Sequence, residues 1–410
     1  MKSLHATELS SEFPRHEPTG PGVLAQFEQL ETWLIAEALP FQQAHARAHA
    51  GFHERTDTHG VPVDMPRRAR VSARQLYSFS RLMAEGFEPQ TCAPLAAHAR
   101  DFFLAEHLGA DGSVRPLAGG PDQFDLYDVA FSLFALAAAD PRIIARDEAH
   151  AHATRVRQWL EAGWRNDVGG FEEAMPRRLP LRSNPHMHML EACLEWERVQ
   201  PEDTEFVRLA DEIAMLCLSR FCATETGALC EVFDGSWAPL VGETCVIEPG
   251  HQYEWGWLLM RWGQMRGRKD ATEAGGGLID LAENHGLNAG GLAGTSLHAD
   301  LSPADMLARL WPQTERIKAW ALRARLTTDP VERQRAEVIA AEATAGLMLF
   351  FDHPMRGAWW ENISEGGGAQ PDNTRTSSFY HIVAAYAELR QLARLVAGRR
   401  QGWGTWHVEP

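Results

Sequence analysis

GAWWENISEGG, residues 357–367, sets a glycine, aromatic side chains and a carboxylate in one short segment. The theme returns as GFHERTD at 51, GGFEEAMP at 169 and GALCEVFDG at 227, with weaker members DGSVRPL at 111 and GGLAGTSLHAD at 290. The six segments lie about 60 residues apart, enough for one helical hairpin between each and the next. The intervening sequence is helical in period: FEQLETWLIAEAL (27–39), ARQLYSFSRLMAEG (73–86), YDVAFSLFALAAA (127–139) and FYHIVAAYAELRQLARLVAG (379–398) space apolar residues at three and four. Alternation with period two is scarce. The expected fold is all-α, an (α/α)6 barrel in which six hairpins close on themselves, and an open solenoid is the alternative. Divergence among the repeats favours closure, since each loop can then bring different chemistry to one central cavity. No Pro-, Gly- or Ser-rich linker divides the chain, so residues 1–410 read as one domain, with 1–24 as an N-terminal extension. GGGLID at 275 lacks the GK[ST] ending of a phosphate loop and reads as a loop leading into a helix.

Composition narrows the function. With 45% hydrophobic and 23% charged residues the chain has ample material for a core, and its formal net charge of −16 argues against nucleic acid or an anionic membrane surface as main partner. A neutral small molecule fits better. Six dispersed cysteines without a CxxC pair read as reduced thiols, and no stretch resembles a leader or a membrane span, which points to the cytoplasm.

Three clusters carry candidate chemistry. In EPGHQYEW (248–255), Pro249 and Gly250 place His251 at a helix start, with Glu254 and Trp255 at i+3 and i+4. Glu254 is expected to orient the imidazole, and Trp255 to offer a plane for a sugar ring. A capped structural histidine is the plain alternative. In SNPHMHMLEACLEW (183–196), Asn184, His188 and Glu191 share one helix face while His186 points elsewhere. Metal binding by the two histidines is disfavoured, because residues two apart do not face each other on a helix. Hydrogen bonds to a polyhydroxy ligand suit the cluster better, although His188 is equally readable as a core histidine. In TSSFYHIVAAYAEL (376–389), His381 opens the last strong helix at the loop end and can face His251 across a cavity. Two imidazoles suit proton transfer near neutral pH. Arg74, Tyr127, Trp311 and Glu315 support the set, and each also has an ordinary structural explanation.

In RVSARQLY, DLYDVAF, SNPHMHMLEA, EPGHQYEWGWLL, LWPQTE and SFYHIVAAYAEL, in order from about residue 25 to 390, the sequence resembles the N-acylglucosamine 2-epimerase family, in particular its aldose–ketose isomerase branch. The resemblance implies an (α/α)6 barrel and a cofactor-independent reaction without metal, D-mannose to D-fructose foremost. It implies that His251 and His381 are the acid/base pair, His381 moving the proton between C1 and C2. Arg74, Tyr127, Asn184 and His188 would hold sugar oxygens, with Glu254, Trp311 and Glu315 completing the pocket. A 2-epimerase on mannose, glucose or an N-acylglucosamine, and a sulfosugar isomerase, are the nearby alternatives. Two departures stand out: Arg70 where the branch often has tryptophan, and Val129 where it often has histidine or glutamine. Arg70 is read as a surface residue beside Arg67 and Arg68; if it entered the pocket mouth instead, phosphate or sulfonate sugars would come into play. From different classes, an α/α-toroid glycoside hydrolase would use carboxylates such as Glu54, Glu172 and Glu231, and a binding scaffold would need neither histidine. A monomer or a homodimer is expected.

Overall fold

The computed structural model describes residues 21–121, 123–222, 225–240 and 246–400. Helix α1 runs as Val23–Trp33 and continues through π-helical turns Leu34–Ala38 and Gln42–Ala46 on either side of Leu39–Phe41, where Pro40 removes a backbone donor. It is followed by α2 (Ala69–Ala84), α3 (Pro89–Phe102), α4 (Leu126–Ala138), α5 (Arg146–Gly163), α6 (Ser183–Val199), α7 (Thr204–Leu216), α8 (Pro249–Arg266), α9 (Lys269–His285), α10 (Leu310–Leu326), α11 (Pro330–Met348) and α12 (Phe379–Arg400).

The even-numbered helices form the inner ring. Each packs on the next, α2 on α4, α4 on α6, α6 on α8, α8 on α10 and α10 on α12, and α12 returns to α2. The barrel is therefore closed, an (α/α)6 fold. The odd-numbered helices form the outer ring, and α1 completes the sixth hairpin by packing on α12. Sequence dictates which helix goes where: Pro249–Gly263 of α8 is buried except Arg261, as an inner helix touching neighbours on every side must be, whereas α7 buries a stripe of Phe206, Leu209, Ala210 and Ile213. Inner-ring tryptophans reach acids of the outer ring, Trp262 Nε1 donating to Asp211 at 2.7 Å and Trp320 Nε1 to Glu283 at 2.9 Å. These bonds satisfy indole donors that lie in apolar surroundings.

Each loop after an outer helix folds back beside the start of the inner helix of its own hairpin. Arg55–Thr56 pairs with Thr374–Arg375 ahead of α12, Phe124–Asp125 ahead of α4 with Ala174–Met175, Leu181–Arg182 ahead of α6 with Val232–Phe233, and Ala308–Arg309 ahead of α10 with Asn362–Ile363. Single bridges Arg68 to Leu117 and Ile247 to Leu297 do the same for α2 and α8. The six recurring segments thus gather at one end of the barrel, around the N-termini of the inner helices.

One expectation needs correction. Gly275–Gly277 is not a loop but the middle of α9. A side chain at Gly275 would stand 2.6 Å from the Gly256 carbonyl oxygen, so Gly275 lets α9 press directly against the backbone of α8, while Gly276 and Gly277 face open space. The extension expected over 1–24 lies largely outside the described residues, and α1 already begins at Val23. Cys92, Cys193, Cys217 and Cys222 are unbridged, and Cys245 lies outside the described residues. Among the described residues no helix is long and apolar enough to cross a membrane.

Candidate active site

A cavity of about 290 Å³ opens at the gathered N-termini, near the lower end of small-molecule sites. The helix dipoles point their positive ends into it. Arg74, Tyr127, Asn184, His188, His251, Glu254, Trp311 and His381 all line it, and Glu315 stands behind His381 without reaching the surface of the cavity. The nine residues singled out from the sequence are thus drawn together from all six inner helices.

His381 Nδ1 lies 2.8 Å from Glu315 Oε1. The other oxygen of that carboxylate is 2.6 Å from Lys318 Nζ, one turn further along α10. Lys318 is fully buried beneath the site, also 3.6 Å from Glu254 and 3.8 Å from Glu191. Burial pushes Glu315 and Glu254 upward, opposed by Lys318, whose charge holds Glu191 down at about 2. His381 itself is driven well below the ordinary histidine value by burial and by the positive charges of Arg74 and Lys318. It is a neutral imidazole that donates Nδ1–H to Glu315 and keeps Nε2 as a free base.

His251 has the opposite character. Its Nδ1 is 2.8 Å from Glu231, with Glu248 at 3.9 Å. Burial alone would lower its pKa, but Glu231 and Glu248 outweigh it and raise the value to about 9. His251 is an imidazolium at neutral pH. Asn184 Nδ2 lies 3.0 Å from Nε2, and Asn184 Oδ1 has no partner among the described residues. A doubly protonated ring calls for the amide turned over, which gives Oδ1 that partner. The two imidazoles flank Trp311, with ring centroids 4.9 Å (His251) and 5.9 Å (His381) from the indole. Gly250 makes room for it: a β-carbon there would sit 2.4 Å from Trp311 Cη2.

On the opposite wall Arg74 Nη2 donates to Tyr127 Oη at 2.6 Å, its guanidinium lying 4.0 Å from the Phe131 ring centroid. His188 contacts Glu191 at 3.3 Å, and burial lowers its pKa to about 3, so it is a neutral hydrogen-bonding group. Tyr380 Oη donates to Glu191 at 2.6 Å and completes this buried set.

Several expectations change. Glu254 does not orient His251; it faces His188 at 3.7 Å and Lys318, and Glu231 from the GALCEVFDG loop takes the role. Trp255 points away from the cavity and packs edge-on against Phe221, so Trp311 is the ring that faces the cavity. Arg70 is not a surface residue: it lines the cavity, held in a bidentate pair with Asp128 at 2.9 and 2.6 Å. His186 is structural, accepting from the Phe171 amide at 3.0 Å. Of the carboxylates considered for hydrolysis, Glu54 pairs with Arg68 and Glu172 accepts from Asn166. Reasoning from the sequence missed Lys318, Arg55, Arg309, Glu361 and Arg375. The loop acids were the available signal for Glu361, since the recurring segment places it where Glu231 sits in its own loop. Among the described residues two groups have donor atoms within 4.8 Å of one another and could hold a cation: His188, Glu191 and Glu254, and Glu231, Glu248 and His251.

The closed ring of helix pairs with two differently charged imidazoles at one cavity agrees with an enzyme of the sugar isomerase and epimerase class, which the family match shows. The N-acylglucosamine 2-epimerase family model matches residues 51–385, and the chain belongs to that family. It is 37% identical over 382 residues to a protein of Rhizobium meliloti (strain 1021) named mannose-6-phosphate isomerase, covering 90% of this chain and 98% of the relative. Among solved structures it is similar to a D-mannose isomerase, with a TM-score of 0.78 at 19% identity over 89% of this chain and 98% of that one. It is also similar to a cellobiose 2-epimerase from Spirochaeta thermophila DSM 6192, with a TM-score of 0.78 at 20% identity over 92% and 98%.

Proposed function

We propose that the protein interconverts an aldose and its ketose, with D-mannose and D-fructose the leading pair, by moving one proton between C1 and C2 of the open-chain sugar. The reading rests on one observation above all: His381 and His251 face the same space across Trp311 in opposite protonation states. Environments that push two titratable groups apart assign a base and an acid.

In this reading His381 Nε2 takes the proton from C2 while His251 gives one to the C1 oxygen, producing a cis-enediol. The hydroxyl at C2 then returns its proton to His251 as the C2 carbonyl forms, and His381 delivers its proton to C1. Charge developing on the enediol oxygens meets Arg74, the Tyr127 hydroxyl and the converging helix N-termini. The name of the Rhizobium meliloti relative and the likeness to a mannose isomerase support an isomerase of mannose-type sugars. The test is incubation with D-mannose in D₂O followed by NMR, with His381→Ala beside the wild type. Fructose deuterated at C1 from wild type alone supports the reading. Glucose deuterated at C2 as the main product would replace it with 2-epimerisation.

A further inference from the structure

Arg70 lines the cavity, yet its charge is already matched. Asp128, fully buried on α4, accepts three N–H groups from this one residue: the backbone amide at 2.9 Å, Nε at 2.9 Å and Nη2 at 2.6 Å. The amide belongs to the first turn of α2, where helix geometry leaves donors without partners. Asp125 stands 3.9 Å from the same guanidinium and also accepts from Arg178 Nη2 at 2.9 Å. Two carboxylates thus face two guanidiniums, and the group carries no surplus positive charge for a ligand.

What the bidentate pair fixes is the place of the guanidinium. Its carbon stands 4.5 Å from the centroid of the Tyr127 ring, within the range of a cation–π contact. Tyr127 lies between the two acids in DLYD (125–128): Asp125 accepts from the Tyr127 amide at 2.9 Å, and Asp128 holds the arginine over its ring. His188 and Phe131 close on the same ring, each with centroids 5.0 Å away. Tyr127 Oη accepts from Arg74 Nη2 at 2.6 Å, and its own proton has no acceptor among the described residues. That O–H is free for a ligand in the cavity, and its direction is set by the ring.

We propose that Arg70, locked by Asp128, is a positioning residue for Tyr127: it pins the phenol so that the hydroxyl meets the enediol oxygen, and it acts on turnover through that hydroxyl alone. The enediol is that of the isomerase reading, on which this role rests. Arginine at position 70 then marks how Tyr127 is held and not the charge of the substrate. Lysine is no substitute, since a point charge on a flexible stem cannot fill the fork of Asp128 and cover the ring at once.

The test is a double-mutant cycle on D-mannose with wild type, Arg70→Met, Tyr127→Phe and the two together, with crystal structures of Arg70→Met and Arg70→Lys beside it. Arg70→Met is expected to lower kcat about tenfold and to leave KM within about twofold of wild type. In the Tyr127→Phe background the ring stays and only the hydroxyl is gone, so the same change is expected to alter kcat by less than about twofold. An unchanged kcat in Arg70→Met, or a tenfold loss in both backgrounds, overturns the role, because a sugar contact or a loosened fold does not depend on the Tyr127 hydroxyl. In both crystal structures Tyr127 Oη is expected to leave its 2.6 Å bond to Arg74 Nη2. A ring still in place overturns the positioning whatever the kinetics. A displaced ring with no turnover of any sugar by the wild type keeps the positioning and removes the isomerase reading. Arg70→Lys, which keeps a charge beside Asp128, carries the cycle where Arg70→Met fails to fold.

Discussion

Glu315 is held from two sides: Lys318 Nζ is 2.6 Å from one of its oxygens and His381 Nδ1 is 2.8 Å from the other. The lysine occupies the charge of the carboxylate, so Glu315 fixes the tautomer of His381 without turning it into an imidazolium. Replacing the buried cation leaves Glu315, Glu254 and Glu191 facing one another without compensation. Lys318→Met is therefore expected to cost about 3–5 kcal/mol of stability, read by urea unfolding. Removing one positive charge near His381 also moves the acid limb of kcat/KM to higher pH, a shift that simple loosening of the fold would not produce.

Opposite protonation states fix the pH profile. In the proposed mechanism the base works above the pKa of His381, which is depressed well below 6.5, and the acid works below that of His251, raised to about 9. Turnover is expected to stay level through neutrality and to decline as pH rises through about 9. Glu231→Gln removes the leading opposite charge on His251 and brings the alkaline limb down, whereas Glu254→Gln moves it much less. A larger shift from Glu254→Gln would restore the pairing first read from the sequence. The linked stability has the same sign: the folded pKa of His251 lies above its unfolded value, so its contribution is full below about 6.5 and is lost through about 9.

The first turn of α8 touches the indole of Trp311 only because residue 250 has no side chain. Gly250→Ala puts a methyl group 2.4 Å from Cη2, and the ring between the two histidines must shift. We expect a fall of roughly 10- to 100-fold in kcat/KM, in line with a displacement of about 1 Å in a positioning group. The thermal midpoint should change far less than in Lys318→Met.

A contrasting outcome is expected at Gly275. Gly275→Leu forces α9 away from α8 on the outer side of the ring, where overpacking costs about 1–3 kcal/mol. Unfolding experiments should record that loss, with the pH profile of the remaining folded enzyme unchanged.

Much of this arrangement is written in the chain. Six loop signals and helical periods imply a ring, and histidines placed just after loops imply that they meet at its end. Long-range pairing is what the sequence hides. Glu254 is three residues from His251 and on its own helix, so it looks like the natural partner, yet Glu231 arrives from the preceding loop because Leu181–Arg182 and Val232–Phe233 pair ahead of α6. Lys318 in ERIKAW reads as an ordinary charge on a solvated face, and only the inner position of α10 puts it in the interior. The GGG run reads as a turn because the close approach of α8 that demands small residues lies 19 positions away, at Gly256.

The two ends of the barrel divide labour. Every residue lining the cavity comes from the end where the inner helices begin, while among the described residues the opposite end holds turns such as those between Ala84 and Pro89, Val199 and Thr204, Arg266 and Lys269, or Leu326 and Pro330. Those turns are natural places to open the chain for circular permutation or to graft a reporter, since ring closure depends on helix packing rather than on their covalent continuity. The same surgery in the segment around Arg55 would reach the mouth of the cavity itself.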